Sequence, residues 1–401
     1  MKQVLIFSLN YYPFVGGAEV AIKEITDRIP SSDIEFHLIA PWYDSTLPKE
    51  EKIGNVTVHR IGLRIKHPGI ADLKKRPLNL NKKLYQILAV FEAERLHRKH
   101  HFDAIWAMIA HSCAIPAGIF KKRHPEVKYL LTLQEGDPPE YIEHLMKPVW
   151  GLFVQGFKRA DELQAISTFL LRWGKRMGFA GEGIVIPNAV DTAKFSRSFS
   201  TEEIAGMYQK LGKKDGEVFL VTTSRLVHKN AVDDVIRALP LLPKYVSFLI
   251  YGIGPDEEKL TSLARELGVE HQTRFMGQIS HDDMPLMLAA CDIFIRPSRS
   301  EGMGNSFVEA MAANLPVIAT QEGGIADFLF DEKRNPDRPT TGWVVDKDAP
   351  AQIAEAVREI LANPEKVGRV ITTAHDLAIS KYDWDMVARD MRDLLGRLLG
   401  S

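Results

Sequence analysis

Between Asp292 and Thr320 the chain reads DIFIRPSRSEGMGNSFVEAMAANLPVIAT, and this stretch constrains the fold more than any other. Residues 293–295 form an apolar run of the kind that becomes a short buried strand. A loop of Pro, Ser, Arg and Gly follows, then a helix opening near Ser306 and closing at Asn314, then a second apolar run at 317–319. Strand, loop, helix and strand make one parallel βαβ unit. In open parallel sheets, ligands sit at the carboxyl ends of the strands beside helix N-termini. Two acidic residues fall at that edge, Glu301 in the loop and Glu309 one turn into the helix.

Glu309 has a structural reading and a binding one. S-F-V-E at 306–309 fits a capping box, in which the glutamate bonds back to the cap backbone. Glu301, beside two glycines, is equally readable as a solvated loop charge. The combination points further. Gly302 and Gly304 let backbone approach a ligand, and free N–H groups at a helix start favour hydroxyl or anionic oxygens. With two carboxylates flanking those donors, the pattern suits a polyhydroxylated, negatively charged ligand such as a nucleotide sugar.

E-G-M-G-N-S-F-V-E, continued by EAMAANLPVIAT, resembles the E-x7-E motif of the family 4 retaining glycosyltransferases (glycosyl transferases group 1). Asn314 stands where that family usually has Gly, and Asn is the next best residue for a left-handed helix end. The resemblance implies the GT-B fold: α/β, with two Rossmann-like domains facing across a cleft.

Length agrees, since 401 residues exceed one ordinary core. Apolar content of 45% and charged content of 26% describe a globular chain without a membrane span. A net charge of −1 gives no global attraction to nucleic acid. Cys113 and Cys291 show no metal-ligand spacing and suit a reducing compartment. The apolar run at 4–9 is too short for a signal-peptide core. A cytoplasmic protein is expected, with peripheral contact at the inner membrane face as its extension.

Taken in order, residues 2–9 read as a first strand, followed by NYYPFVGG and a helix from about Ala18. Gly16–Gly17 resembles the family's GG-A-E element, whose amides approach donor phosphate and acceptor. Strands follow at 35–39, 57–60, 104–108 and 128–133, with a helix of about twenty residues from Asn81. Residues 139–160 read as one helix and 162–167 as a strand. Alternating strands and helices make this half α/β. I-V-I-P-N-A-V-D at 184–191 resembles the family's interdomain junction, with Ala189 replacing Gly. The boundary is placed near 190, giving an acceptor-side domain over 1–190 and a nucleotide-sugar domain over 191–381. Residues 382–401 carry apolar positions at helical spacing, and the family's last helix packs back on the first domain.

In the second half, a strand at 218–223 leads to Arg225 and Lys229. They are two solvated cations or a clamp on a diphosphate, Arg by its planar fork and Lys as a point charge. The family's G-R-L-x-x-x-K motif matches there, with Ser224 replacing Gly, and favours the clamp. Gly252 ends the strand at 246–252, where the family holds the nucleotide. The backbone at Gln278 and Ile279 corresponds to the segment lining the base. Residues 331–339 read as a surface loop.

The resemblance then assigns roles. Arg225, Lys229 and the helix start at Gly304–Ser306 would neutralise a leaving diphosphate. Glu309 would bind ribose hydroxyls, and Glu301 with the backbone of Met303, Gly304 and Asn305 would hold the sugar of a UDP- or GDP-sugar. No Asp-x-Asp or His/Asp spacing suggests a divalent ion, so no metal and no cofactor are expected. At the end of the strand 128–133 the family usually has a donor-contacting His, and Gln134 stands there instead. Gln bonds a sugar hydroxyl but cannot exchange protons as imidazole does. The family's favoured picture is attack on the face of departure, with the leaving phosphate oxygen taking the acceptor proton, which asks only positioning of Gln134. Two other readings use the same fold. One is a nucleotide-sugar 2-epimerase, which lacks this E-x7-E pattern; the other is a catalytically weakened sugar-nucleotide-binding protein.

Residues 60–101 hold eleven Lys/Arg against Asp72, Glu92 and Glu94. Such a run is a solvated face or a patch resting on an anionic membrane. Leu63, Ile65, Ile70, Leu73 and Leu78 would add apolar contacts, as an enzyme of lipid-linked or cell-surface glycan synthesis would need.

Overall fold

Two α/β units build the chain, Met1–Asn188 with the C-terminal segment from Trp384, and Ala189–Asp383. The computed structural model describes residues 1–400. Ser401, the end of the predicted 382–401 segment, lies outside the described residues, as does the side chain of Ile70.

The first unit runs β1 (Lys2–Phe7), α1 (Gly17–Asp27), β2 (Ile34–Pro41), β3 (Glu50–Ile53), β4 (Val56–Ile61), α2 (Asn81–His100), β5 (Ala104–Met108), α3 (Ala110–Arg123), β6 (Lys128–Leu133), α4 (Pro139–Met146), α5 (Trp150–Lys158), β7 (Glu162–Ala165), α6 (Thr168–Arg176) and β8 (Ile184–Val185). Its sheet has the order β3-β4-β2-β1-β5-β6-β7-β8. Every pair is parallel except β3–β4. Central strands such as β5, AIWAM, are buried along their whole length, as a sheet covered on both faces requires. The predicted strands at 104–108 and 128–133 and the helix from Asn81 stand where their apolar patterns put them. The first strand stops at Phe7 and not at 9, the strand expected over 162–167 stops at Ala165, and the helix expected over 139–160 is broken by a 3-10 turn at Lys147–Val149. Pro148 lies inside that turn and lacks the N–H that an unbroken helix would use.

The second unit runs α7 (Thr192–Phe195), α8 (Thr201–Leu211), β9 (Val218–Thr223), α9 (Val232–Ala238), β10 (Val246–Tyr251), α10 (Glu257–Glu266), β11 (Thr273–Gly277), α11 (Met284–Ala289), β12 (Ile293–Arg296), α12 (Asn305–Ala312), β13 (Val317–Ala319), β14 (Trp343–Val344), α13 (Pro350–Ala362) and α14 (Pro364–Lys381). The sheet order is β11-β10-β9-β12-β13-β14. All its pairs are parallel. The strand order reverses between β9 and β12, which marks the ligand-bearing crevice of an open α/β sheet.

The last helix, α15 (Trp384–Leu399), returns to the first unit. Trp384, Val387, Ala388, Met391, Leu394 and Leu395 form its buried stripe. It packs on α1, and Arg28 Nε donates to Asp385 Oδ1 at 2.6 Å. Among the described residues no helix is long and apolar enough to cross a membrane.

Candidate active site

Most of the predicted site residues fall on loops at the carboxyl edge of the second sheet. Arg225 and Lys229 follow β9, Gly252 follows β10, Gln278 and Ile279 follow β11, and Glu301 to Ser306 connect β12 to α12. Gly16, Gly17 and Gln134 belong to the first unit, at the matching edge after β1 and β6.

The loops after β9 and β12 are stitched together by Arg299, a residue whose role sequence reasoning missed. Its backbone N–H donates to Lys229 O at 2.7 Å. Its guanidinium reaches His228 O (2.8 Å), both oxygens of Asp233 (2.8 and 3.0 Å), Asp234 Oδ1 (2.9 Å) and Asp348 Oδ1 (2.7 Å). Burial, together with Asp233 and Asp348, lifts the Asp234 carboxyl to about 6 although Arg299 opposes the shift. This network fixes the backbone around Lys229. Arg225 is exposed and Lys229 half-buried.

The same edge contains a buried cation, Arg296, at the end of β12. One amino group donates to Glu301 Oε2 at 2.8 Å, and the other to Ser306 Oγ (2.8 Å) and Thr223 O (3.3 Å). Its guanidinium lies 4.3 Å over the Phe307 ring. Burial holds the guanidinium below its ordinary value. Arg296 therefore sets the Glu301 carboxylate and the Ser306 hydroxyl at fixed positions on either side of the Gly302–Asn305 turn. Gly324 N–H donates to Glu301 O at 3.0 Å. Gly323 adopts φ +62°, and a Cβ there would fall 2.0 Å from Glu301 O, so only glycine lets the β13 loop close on this carbonyl.

Glu309 does not form the capping box that was one of its two readings. Helix α12 opens at Asn305 with Gly304 as its cap and no side-chain cap bond. The Ser306 hydroxyl, which would have been the cap, is held by Arg296 instead. Glu309 is buried, and its Oε1 lies 3.3 Å from His281 Nε2. That hydrogen bond raises the His281 imidazole against the effect of burial. His281 lies three residues beyond Gln278, so the segment after β11 and the second turn of α12 meet here.

Gly252 needs no ligand to explain it. A Cβ at its φ of +140° would stand 1.8 Å from Ser224 O, so glycine lets the β9 and β10 loops touch backbone to backbone. In the first unit, Gly16 N–H donates to Glu19 Oε2 at 2.6 Å, a carboxylate raised by burial. Gln134 is engaged by Asn188 in a reciprocal amide pair, with Gln134 Nε2 to Asn188 Oδ1 at 2.9 Å and the return bond at 3.3 Å. One cluster able to hold a metal exists among the described residues, His97, His124 and Glu126 in the first unit. Sequence spacing did not show it, and it is already committed: Phe102 N–H donates to His97 Nδ1, and His124 Nε2 lies 2.8 Å from Glu94.

Two family profiles match the chain, "Glycosyltransferase Family 4" over residues 15–194 and "Glycosyl transferases group 1" over residues 206–376. The chain is 30% identical over 234 residues to the GDP-mannose-dependent alpha-(1-6)-phosphatidylinositol monomannoside mannosyltransferase of Mycobacterium tuberculosis, a match covering 56% of this chain and 58% of that protein. It is 22% identical to the alpha-monoglucosyldiacylglycerol synthase of Acholeplasma laidlawii over 97% of this chain and 95% of that protein. Among solved structures, sucrose-phosphate synthase from Thermosynechococcus elongatus superposes with a TM-score of 0.80 at 17% identity, over 100% of both chains. Anabaena HepE in complex with UDP superposes with a TM-score of 0.77 at 19% identity, over 99% of this chain and 100% of that one. The fold is GT-B.

Proposed function

The chain belongs to the glycosyltransferases described as group 1 and family 4, and from that premise we propose that it moves a sugar from a nucleotide-diphosphate sugar to an acceptor hydroxyl with retention at the anomeric carbon. The observation that carries this reading is the stitching of the β9 and β12 loops by Arg299. It holds the loop bearing Arg225 and Lys229 beside the loop bearing Glu301, at the switch point of the second sheet.

Arg225 and Lys229 bind the diphosphate and offset its charge as it leaves, with the N–H groups at the start of α12. Glu309 takes the ribose hydroxyls, and the backbone at Gln278 and Ile279 lines the base. Glu301, held by Arg296, and the backbone from Gly302 to Asn305 orient the donor sugar. No metal or cofactor takes part in this reading, and the first unit receives the acceptor. UDP- and GDP-sugars are the donors to try first. The named mannosyltransferase and glucosyldiacylglycerol synthase support a lipid-borne hydroxyl as the acceptor.

The test is binding, then transfer. UDP, GDP and ADP are screened for thermal stabilisation, since a ligand bound only by the folded chain raises its melting point. Arg225→Ala and Lys229→Ala should each weaken the stabilising nucleotide by ~1.5–3 kcal/mol, roughly ten- to a hundredfold. Unchanged affinity by calorimetry in both variants would remove the clamp. Transfer should survive a chelator; loss restored by magnesium would require a metal.

A further inference from the structure

In the first sheet, β4 lies two strands from β1, on the side away from β6 and Gln134. There β4, the loop after it and α2 line an open cavity of about 790 Å³. Five cations line it: Lys49 before β3, Arg60 on β4, Arg64 after β4, and Arg95 and Arg98 on α2. One lining carboxylate, Glu92, stands against them. Arg60 is buried, where it pairs with Glu51 Oε2 at 2.6 Å and donates to Pro48 O at 2.8 Å. Arg95 forks onto both oxygens of Glu92 at 2.7 and 2.9 Å. Burial opposes ionisation of the Glu92 carboxyl, yet Arg95 and Lys49 hold it below its ordinary value. Glu50 Oε2 lies 3.3 Å from His59 Nδ1. The nearby acids are thus engaged, while Lys49, Arg64 and Arg98 are exposed and make no salt bridge among the described residues.

An ordinary solvated face carries its cations on loose stems. Arg64 is held instead. Its guanidinium carbon lies 4.0 Å over the Trp42 ring. Trp42 is itself fixed, its backbone N–H donating to Ile61 O and its Nε1–H to Asp44 O, both at 2.6 Å. The loop bearing Arg64 is clipped to the start of α2, where the Asn81 side chain accepts from Leu63 N–H and donates to Leu63 O, both at 2.7 Å. Opposite these cations the cavity has an apolar side, half-buried Leu88 and Phe91, which is 65% exposed.

We propose that this cavity is a binding site for a phosphate ester, with Lys49, Arg64 and Arg98 taking the phosphate. A phosphate monoester carries about −1.5 to −2 charge near neutrality and offers three acceptor oxygens. Guanidinium forks match pairs of those oxygens, and Lys49 adds a point charge. Binding also offsets the mutual repulsion of the cations. A lipid headgroup and a soluble metabolite present the same phosphate chemistry, and the exposed Phe91 beside it favours the lipid. The site lies wholly within the first unit. It stands apart from the transferase reading, whose nucleotide-binding loops belong to the second unit.

Calorimetry on the full chain tests this with inorganic phosphate, glycerol 3-phosphate and dihexanoyl phosphatidic acid kept below its micellar concentration. Salt is held at about 0.15 M, where the screening length of about 8 Å damps attraction by distant charges. Both esters should bind more tightly than inorganic phosphate. Arg64→Gln with Arg98→Gln should weaken them roughly tenfold or more. Arg64→Lys, which keeps the charge and loses the fork, should also weaken them, and it covers the case of a double variant that does not fold. Lys99→Gln removes one charge from the same helix outside the cavity and should leave affinity unchanged. Tighter binding of the lipid, lost in Phe91→Ala, identifies a headgroup as the ligand; equal binding of the two esters, unaltered by Phe91→Ala, identifies a soluble ester. No binding of either ester, affinity no greater than for inorganic phosphate, or a loss in Lys99→Gln equal to that in the double variant overturns the proposal. Thermal stabilisation by UDP or GDP in the same samples reads the transferase proposal separately.

Discussion

Arg296 shows how much of the site depends on a residue that reads, in sequence, as the polar end of an apolar strand. Its partners Glu301 and Ser306 lie within ten positions, yet Thr223 and the Phe307 ring place the guanidinium in a buried pocket that only the fold reveals. Removing one member of such a pair leaves the other charge buried. Arg296→Met should therefore cost ~3–5 kcal/mol of second-unit stability, and Arg296→Met with Glu301→Gln distinctly less. Equal losses in thermal unfolding would mean that Arg296 acts through packing on Phe307. His281 offers a second test at this scale. Its imidazole is raised by Glu309, so their pairing contributes stability that is complete below the unfolded value of 6.5 and is lost as pH rises through the raised folded value. His281 is more than half exposed, so solvent screening keeps this contribution small. Binding feels it more. Lys194 and Asp191 also act on this ring, but Glu309 dominates. If Glu309 takes the ribose as proposed, the imidazolium formed in acid competes with the ribose hydroxyls for its carboxylate. Nucleotide affinity should fall towards acid pH in the wild type and stay level in His281→Ala. Affinity that stays level with pH in the wild type would take ribose away from Glu309.

At the scale of elements, sequence legibility follows burial. Strands β5 and β6 and helix α2 were readable because apolar runs and helical spacing persist where an element is covered. Strand β3, EEKI, was not readable: it is an exposed antiparallel edge whose charges look like loop. The βαβ unit around Glu301 was legible as a pattern, but Arg299 was not, since its acidic partners lie 49 to 66 positions away. The histidines of β2 and β4 were equally invisible. His37 Nδ1 lies 2.9 Å from His59 Nε2 in adjacent strands, and burial pushes both imidazoles down to about 4 despite Glu35 and Glu50 nearby, with His100 adding to the shift. An unfolded chain protonates these rings from 6.5 downwards, whereas the folded one resists until about 4. Stability should fall as pH drops through that window, by on the order of 3 kcal/mol per ring at most and less than additively for a coupled pair. His37→Gln with His59→Gln should flatten urea midpoints between those pH values. A slope that persists in the double variant would place the acid sensitivity elsewhere.

On the scale of the whole molecule, the net charge of −1 conceals a local excess of cations in the first unit. Lys66, Lys74, Lys75, Arg76, Lys82 and Lys83 are all exposed. The apolar contacts expected beside them are supplied differently from the sequence expectation: Leu78 is buried, Leu63, Ile65 and Leu73 are half-buried, and the open apolar residues are Leu80, just before α2, and Ile87 and Phe91 on it. Lys83, Ile87 and Phe91 stand four residues apart on that helix, so they share one face. A cationic helix face with an exposed aromatic suits an anionic bilayer, where each basic residue near the lipid adds ~1 kcal/mol. A transferase acting on the proposed lipid-borne hydroxyl would use such weak, additive contacts to reach it. The chain should cosediment with anionic vesicles and not with neutral ones. Binding should fade with salt, because the screening length shrinks to ~3 Å at 1 M. Changing Lys74, Lys75 and Arg76 to Glu should release it, and Phe91→Ala should weaken it without altering its salt dependence. If the wild type ignores anionic vesicles at low salt, these cations form an ordinary solvated face and the acceptor comes from solution.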